Sequence, residues 1–256
     1  MPSAIRHDEE LSSKGLVTIL VEAQGADEAT LEHFLWKTFP DNHCFSCVGT
    51  QVPLPPSDGI PHAGLVGVDG TLLWAGNPLG DSKTVKDLIE QELAKVKKGW
   101  GETGDARKVR QKLYGKFDLS GASKIVAEMA EGDERTMLQK EIDAKYASAK
   151  KAIETLKEQG SWLKAQDAAK ELLKSVDGHA EWTAEATTIV ASFDGDDAKA
   201  ELAAEKKLEK AIKLLRNKKL ESAPKALEAV LKDGANTKVG ARAQRTLKAL
   251  ATSLDG

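Results

Sequence analysis

The spacing of hydrophobic residues predicts alternating strands and helices in the first part of the chain. Leu16–Val21 is an almost unbroken apolar run, which is typical of a strand covered on both faces. Apolar residues then recur at helical spacing over 27–39, and Pro40 ends that predicted helix. An amphipathic stretch over 81–96 predicts a further helix. This alternation is the pattern of an α/β domain.

A β-hairpin is predicted between these two helices. The apolar runs Gly64–Val68 and Thr71–Trp74 are separated by Asp69-Gly70, a turn dipeptide that strongly indicates a hairpin. Before it, 47–52 predicts a short strand, and the prolines within 53–56 predict an extended loop. The predicted order is therefore helix, strand, helix, loop, hairpin and helix.

From about residue 105 the hydrophobic spacing is helical throughout. Alanine, lysine, glutamate and leucine dominate, and all four are good helix formers. Short breaks containing glycine or Asp-Gly separate the amphipathic stretches, which indicates antiparallel helical hairpins. The predicted helices span 105–115, 119–131, 134–158, 161–176, 180–193, 196–217, 220–232 and 237–254. This half faintly resembles tetratricopeptide-type repeats without a strict period, so we predict an all-α helical hairpin or repeat-like domain.

Composition places a domain boundary between the two halves. Seven of the eight prolines precede residue 80, and proline is disfavoured inside helices. Residues 99–104 are glycine-rich and polar, which is typical of a linker. We predict an α/β domain over 1–98, a linker over 99–104 and an α-helical domain over 105–256.

Charge and motif content argue against several classes of function. The net charge of −3 argues against a general nucleic-acid binder. No apolar run approaches the roughly 18 residues that a membrane span needs, and residues 1–10 carry no signal-peptide pattern. The sequence has no phosphate-binding glycine loop, no His-Glu-x-x-His pair and no nucleophile elbow. We therefore predict no cofactor, no nucleic-acid partner and no membrane span.

Three segments of the first domain, Glu9–Val21, Gly59–Gly70 and Trp74–Pro78, share order and spacing with a known family. Together they resemble the redoxin/TlpA-like branch of the thioredoxin superfamily, over about residues 5–98. The resemblance implies a thioredoxin-like α/β fold in which the segments correspond to the end of the first helix with its following strand, the cis-proline loop with the hairpin, and the approach to the last helix. It also implies a cis Ile60-Pro61 bond.

The resemblance lacks one part of the family pattern. Family members carry a central strand and a Trp-Cys-x-x-Cys turn before the helix that would end near Leu11, and this chain has neither. Three explanations stay open: a truncation or late start of a longer protein, N-terminal residues that fill the strand position, or a strand from another chain. The resemblance implies that Ile60, Pro61 and His62 bind the extended segment of a thiol or disulfide substrate.

A Cys-x-x-Cys motif does occur elsewhere, at Cys44 and Cys47. This is the spacing of oxidoreductase dithiols, but it follows a predicted helix, so no helix N-terminus lowers the pKa of Cys44. We predict this pair as the candidate catalytic residues, with no bound metal. The alternatives are unreactive buried thiols, a structural disulfide, or a zinc site completed by His43 and His62.

Two functions follow from these features. The first is a thiol–disulfide oxidoreductase-family protein that lacks the standard cysteines in this chain and reacts with a protein thiol or disulfide. The second is a non-catalytic adaptor with a thioredoxin-like scaffold, whose helices bind a protein partner. Trp162 and Trp182 are predicted to be core anchors, and the lysines of 206–219 to form a solvated helix face or, alternatively, a basic docking surface. The resemblance implies export to the periplasm, whereas the lack of a signal pattern favours the cytoplasm, so localisation stays open.

Overall fold

The chain forms two compact units, seen in a computed structural model that describes residues 7–8, 10–38, 45–55, 59–217, 219 and 221–254. The first unit comprises residues 1–31 and 42–117, and the second comprises 118–256 together with 32–41. The predicted division at 99–104 remains a prediction. Residues 100 and 101 in that segment bind the following helix, because the carbonyls of Trp100 and Gly101 accept hydrogen bonds from Arg110 and Arg107.

The described strands form two separate two-stranded sheets, both in the first unit. β1 (Ile19–Val21) pairs in parallel with β2 (Phe45–Cys47), and Val21 lies opposite Cys47. β3 (Ala63–Val66) pairs antiparallel with β4 (Leu72–Gly76), and Leu65 lies opposite Trp74. The two pairs share no strand.

The β3–β4 hairpin has the turn predicted from Asp69-Gly70. Gly67 N–H donates to Thr71 O at 2.8 Å, and Gly70 adopts the left-handed φ of 83° that favours glycine. The Asp69 carboxylate accepts the N–H of Thr71 at 3.0 Å. One end of the turn is joined to a helix, because Val68 N–H donates to the nearly buried carboxylate of Glu92 at 3.0 Å.

The predicted fold class, a thioredoxin-like α/β domain followed by an all-α domain, is wrong. That fold needs one continuous sheet, whereas the described strands are three to five residues long and lie in two unconnected pairs. The Leu16–Val21 run, predicted to be covered on both faces, contributes only three strand residues, and the side chains of Val17 and Ile19 are more than half exposed. Helices make up most of the described chain.

The described part of the chain before residue 118 contains three α-helices, which follow a short helical turn at residues 10–11 and a 3₁₀ turn over Ser12–Lys14. They are α1 (Glu28–Thr38), α2 (Ser82–Lys98) and α3 (Gly104–Arg110), and α3 continues as a π-helical turn over Gln111–Gly115. α2 packs against α3 and this π turn, which buries Val109 and Leu113 completely.

The second unit is a succession of amphipathic helices close to the predicted spans. They are α4 (Leu119–Glu128), α5 (Asp133–Glu158), α6 (Trp162–Ser175), α7 (Ala180–Ala191) with a 3₁₀ turn (Ser192–Asp194), α8 (Asp196–Arg216), α9 (Ala223–Gly234) and α10 (Lys238–Leu254). Their ends lie within a few residues of the predicted ones, because glycine and Asp-Gly breaks fix most of the boundaries. In the described part of the chain no helix is long and apolar enough to cross a membrane.

Alternate helices of this unit form a row, and the others pack against it. α6, α8 and α10 pack on one another in sequence, while α5 and α7 pack against α6, and α9 packs against both α8 and α10. The core between α8, α9 and α10 is aliphatic, with Leu208, Leu227 and Val239 fully buried. Close backbone approach at Gly240, where a Cβ atom would meet the carbonyl of Gly234, holds α10 against the end of α9.

Candidate functional site

The structure places Cys47 at the end of β2. Its thiol is free and half-buried, with Sγ 3.9 Å from the carbonyl oxygen of Leu20 on the paired strand. Cys44 and His43 lie outside the described residues. The predicted catalytic role of Cys44 and Cys47 therefore stays a prediction.

The predicted substrate-binding segment lies just before β3. The Ile60-Pro61 bond is cis, which confirms that expectation, and Ile60 is 64% exposed while Pro61 and His62 are half-buried. Cys47 belongs to the β1–β2 pair, whereas residues 60–62 lead into the β3–β4 hairpin. The two parts of the predicted site therefore belong to different sheets. Within the described residues no three His, Cys, Asp or Glu side chains are grouped to hold a metal.

The second unit has a cleft of about 470 Å³. It lies where the last turns of α5 meet the 3₁₀ turn and the starts of α6, α8 and α10. We call it the acidic cleft, because four carboxylates and two ammonium groups line it. These are Glu154, Glu158, Asp196 and Asp197 against Lys157 and Lys238.

Two buried glutamates of α8 hold the helices that border the acidic cleft. Glu201 accepts the N–H groups of Lys238 and Val239 at 2.6 and 3.0 Å, and so caps the N-terminus of α10. Glu205 accepts the N–H of Leu163 at 2.6 Å and caps the N-terminus of α6. Both side chains are less than 10% exposed. A helix N-terminus leaves N–H groups unpaired and carries partial positive charge. Each carboxylate therefore accepts hydrogen bonds from these N–H groups and interacts favourably with that charge.

Arg242 completes the polar contacts of Glu205. Its guanidinium lies 3.5 Å from the second carboxylate oxygen and 3.4 Å from both Gly160 O and Ser161 Oγ. Burial raises the pKa of Glu205 above its ordinary value, while the Leu163 N–H and Arg242 oppose that shift. α6, α8 and α10 are thus joined by side-chain hydrogen bonds at the cleft end of their row.

An ammonium group lies over the aromatic part of the acidic cleft. Trp162 and Phe193 meet edge to face with ring centroids 6.0 Å apart. The Lys157 Nζ atom is 5.9 Å from the Trp162 ring and 4.8 Å from the Phe193 ring. It also donates to Glu154 at 3.0 Å, and its side chain is only 15% exposed. This combination of ring faces and a carboxylate stabilises a cation.

The remaining carboxylates of the acidic cleft face solvent. Within the described part of the chain, Glu158, Asp196 and Asp197 are exposed and make no side-chain hydrogen bond or ion pair. The Trp162 indole also lacks an acceptor: Nε1 is the one buried side-chain polar atom without a hydrogen-bond partner among the described residues. An unpaired buried donor of this kind is rare in folded proteins.

A second polar cluster joins α5 to α7. Tyr146 Oη donates to Glu185 at 2.6 Å, and Lys150 Nζ donates to the other oxygen of that carboxylate at 2.5 Å. Burial and this carboxylate raise the pKa of Tyr146, while Lys150 and then Tyr146 lower the pKa of Glu185. The Tyr146 ring stacks on Trp182 at 4.7 Å. This cluster joins two helices and contains no unpaired group, so we interpret it as structural.

The sequence predicts part of the aromatic packing in this unit and does not predict the buried acids. Trp162 is half-buried against the aliphatic core, and Trp182, also half-buried, stacks on Tyr146. The described lysines at 206, 207, 210, 213 and 219 are exposed. Glu201 and Glu205 were missed because acidic residues on a helix usually face water. One signal was present: both lie on the helical stripe that continues through Leu208. Comparison of the chain with protein-family models, with curated proteins and with solved structures finds no match.

Proposed function

We propose that this protein is a non-catalytic adaptor that binds a protein partner through the helices of its second unit. The observation that carries the proposal is the row of α6, α8 and α10, which contact each other in sequence while α5, α7 and α9 pack against them. Stacked helical pairs of this kind present a continuous surface built from successive helices, which suits recognition of another protein. The function is a property of that surface and requires no reacting group.

The fixed geometry of the row supports this proposal. Glu201 and Glu205 hold the starts of α10 and α6 on α8, and Gly240 brings α10 close to the backbone at the end of α9. A binding surface that is ordered before the partner arrives loses less conformational entropy on association. The buried carboxylates therefore contribute to binding through preorganisation as well as to stability.

The experiment that tests this function is reconstitution of a complex from purified components. The tagged full chain is used to isolate a partner, the partner is produced separately, and the dissociation constant is measured. A matched variant, Cys44→Ser with Cys47→Ser, is measured in parallel, as is thiol–disulfide exchange on a protein disulfide substrate. We expect the variant to bind as tightly as the unaltered chain. Failure to reconstitute any complex, together with thiol–disulfide turnover that the double substitution abolishes, would overturn the proposal in favour of the oxidoreductase.

A further inference from the structure

We propose that the protein docks an acidic segment of its partner along one exposed face of α8, where lysines form a continuous line. The inference rests on the adaptor function and adds the chemistry of the partner to it. We call this face the lysine stripe. Its members are Lys199, Lys206, Lys210 and Lys213.

The lysine stripe follows the repeat of the helix. Its members lie at positions i, i+7, i+11 and i+14, a spacing that keeps side chains on one face. All four are exposed, while the opposite face of α8 carries the buried residues Leu208, Ala211 and Leu215. At a rise of about 1.5 Å per residue the stripe is about 21 Å long. Ala203 is exposed in the same line, and its small side chain lets a second chain approach the helix closely.

The charge of the lysine stripe has no counterpart within the described part of the chain. There, none of its four ammonium groups makes a hydrogen bond or an ion pair. The neighbouring Lys207 differs, because it lies to one side and pairs with Asp233 of α9 at 2.5 Å. α8 therefore carries one lysine that holds two helices together and four that face outward.

The spacing of the lysines is unfavourable for the isolated fold. Lys206, Lys210 and Lys213 follow one another at intervals of four and three residues, at which like charges repel and destabilise a helix. Glu209 is the one acid within three or four residues of these lysines in the sequence. Local arrangements that cost stability are expected in natural proteins at functional sites. An acidic ligand would remove the repulsion, because its carboxylates lie between the ammonium groups.

The distribution of charge in the second unit supports the same partner. Residues 201–256 contain 13 lysines and arginines against 7 aspartates and glutamates, whereas residues 118–200 contain 11 against 17. Two of the seven acids, Glu201 and Glu205, are buried and accept the N–H groups at the starts of α10 and α6. They leave the outer surface of α8 to its lysines. Charge asymmetry of this size between two parts of a chain indicates an oppositely charged partner.

The form of the lysine stripe favours an acidic protein segment over a nucleic acid. The stripe contains no arginine, the residue that binds phosphate groups through two parallel hydrogen bonds. Asp196 is exposed at its start and Glu209 beside its middle, so the positive surface is narrow. Nucleic-acid binding is typical of broad basic surfaces on basic proteins, whereas this chain has a net charge of −3.

The test uses the full-length chain and a fluorescently labelled peptide of repeating Glu-Ala-Ala, about 15 residues long so that as a helix it matches the stripe. Fluorescence anisotropy at low ionic strength gives its dissociation constant, and a lysine peptide and a DNA duplex are measured for comparison. Lys206→Gln and Lys210→Gln each remove one charge from the stripe, and Lys225→Gln removes one exposed charge from α9 as the matched control. We expect each stripe substitution to weaken binding of the acidic peptide about twofold to fivefold, and the control to leave it unchanged.

Thermal unfolding of the same variants separates binding from folding. Because Lys210→Gln removes two like-charge contacts, we expect its Tm to equal or exceed that of the unaltered chain. Weaker peptide binding at an unchanged or higher Tm supports the inference.

Three results would overturn the inference. They are absence of binding by the acidic peptide, binding that the stripe substitutions weaken no more than the control does, and tighter stripe-dependent binding of the DNA duplex. The adaptor function is decided separately, by the reconstituted complex.

Discussion

Replacing Glu201 by glutamine is expected to destabilise the second unit more than the same replacement at Glu205. Both side chains are buried on α8, one helical turn apart. Glu201 uses one oxygen for the N–H of Lys238 and the other for the N–H of Val239. Because a glutamine amide has a single acceptor oxygen, Glu201→Gln leaves one of these N–H groups facing an NH₂ donor.

Glu205 is better able to tolerate the change. A glutamine oxygen at this position keeps the hydrogen bond from Leu163 N–H, and Arg242 retains Gly160 O and Ser161 Oγ within 3.4 Å. Burial raises the pKa of Glu205, which means that the buried charge is itself unfavourable. Removing that charge offsets part of the loss of the Arg242 contact.

The expected magnitudes follow from these contacts. A hydrogen bond to a charged group contributes about 1.5–3 kcal/mol, and a buried donor left unpaired costs about 1–3 kcal/mol. We therefore expect Glu201→Gln to lower the free energy of unfolding by about 2–4 kcal/mol, and Glu205→Gln by about 1 kcal/mol or less. For a unit of this size, each kcal/mol corresponds to roughly 2–4 °C in Tm.

The assay combines thermal unfolding, followed by circular dichroism, with native-state hydrogen exchange. Exchange at the Val239 amide reports the cap of α10 directly, and we expect Glu201→Gln to accelerate it. Glu228→Gln, an exposed charge removal on α9, serves as the control. Equal destabilisation by the two buried substitutions, or an unchanged exchange rate at Val239, would refute the reasoning.

Three further outcomes are expected. The raised pKa of Glu205 means that this carboxyl binds its proton more tightly in the folded state than in the unfolded state. The free energy of unfolding therefore falls as the pH rises above about 4.5 through the folded pKa. Urea titrations across pH should show that Glu205→Gln reduces this slope. Gly240→Ala places a Cβ against the Gly234 carbonyl and should lower the free energy of unfolding by about 1–3 kcal/mol in chemical denaturation. Tyr146→Phe removes the hydrogen bond to Glu185 but keeps the ring stack, and calorimetry should show a loss of about 1–2 kcal/mol.

The helices could be predicted from the sequence because their signals are local. Hydrophobic spacing sets the buried face of each helix, and a glycine or Asp-Gly break ends it within a few residues. The β3–β4 hairpin was predicted for the same reason, since Asp69-Gly70 specifies its own turn.

The sheet could not be predicted in the same way, because strand pairing joins residues far apart in sequence. The run around Leu16 indicated a strand, yet nothing in that run specifies how many strands lie beside it. The resemblance to thioredoxin-like proteins supplied those neighbours by analogy, whereas the described residues form two short strand pairs instead. Among the residues that the structure describes, the cis Ile60-Pro61 bond is present and the continuous sheet of that fold is not.

The polar contacts at the acidic cleft could not be predicted from the sequence for a related reason. Glu201 and Glu205 are part of an otherwise ordinary charged helix, and only the placement of α6 and α10 buries them. The cleft itself combines residues from five separate elements, from Glu154 to Lys238. Side chains so distant in sequence become a site only when the helices have packed.

The adaptor function is tested most directly by hydrogen–deuterium exchange on the full chain, alone and in the reconstituted complex. We expect the partner to protect amides within residues 118–254. Protection confined to residues 7–117, with the second unit exchanging as in the free chain, would contradict the account.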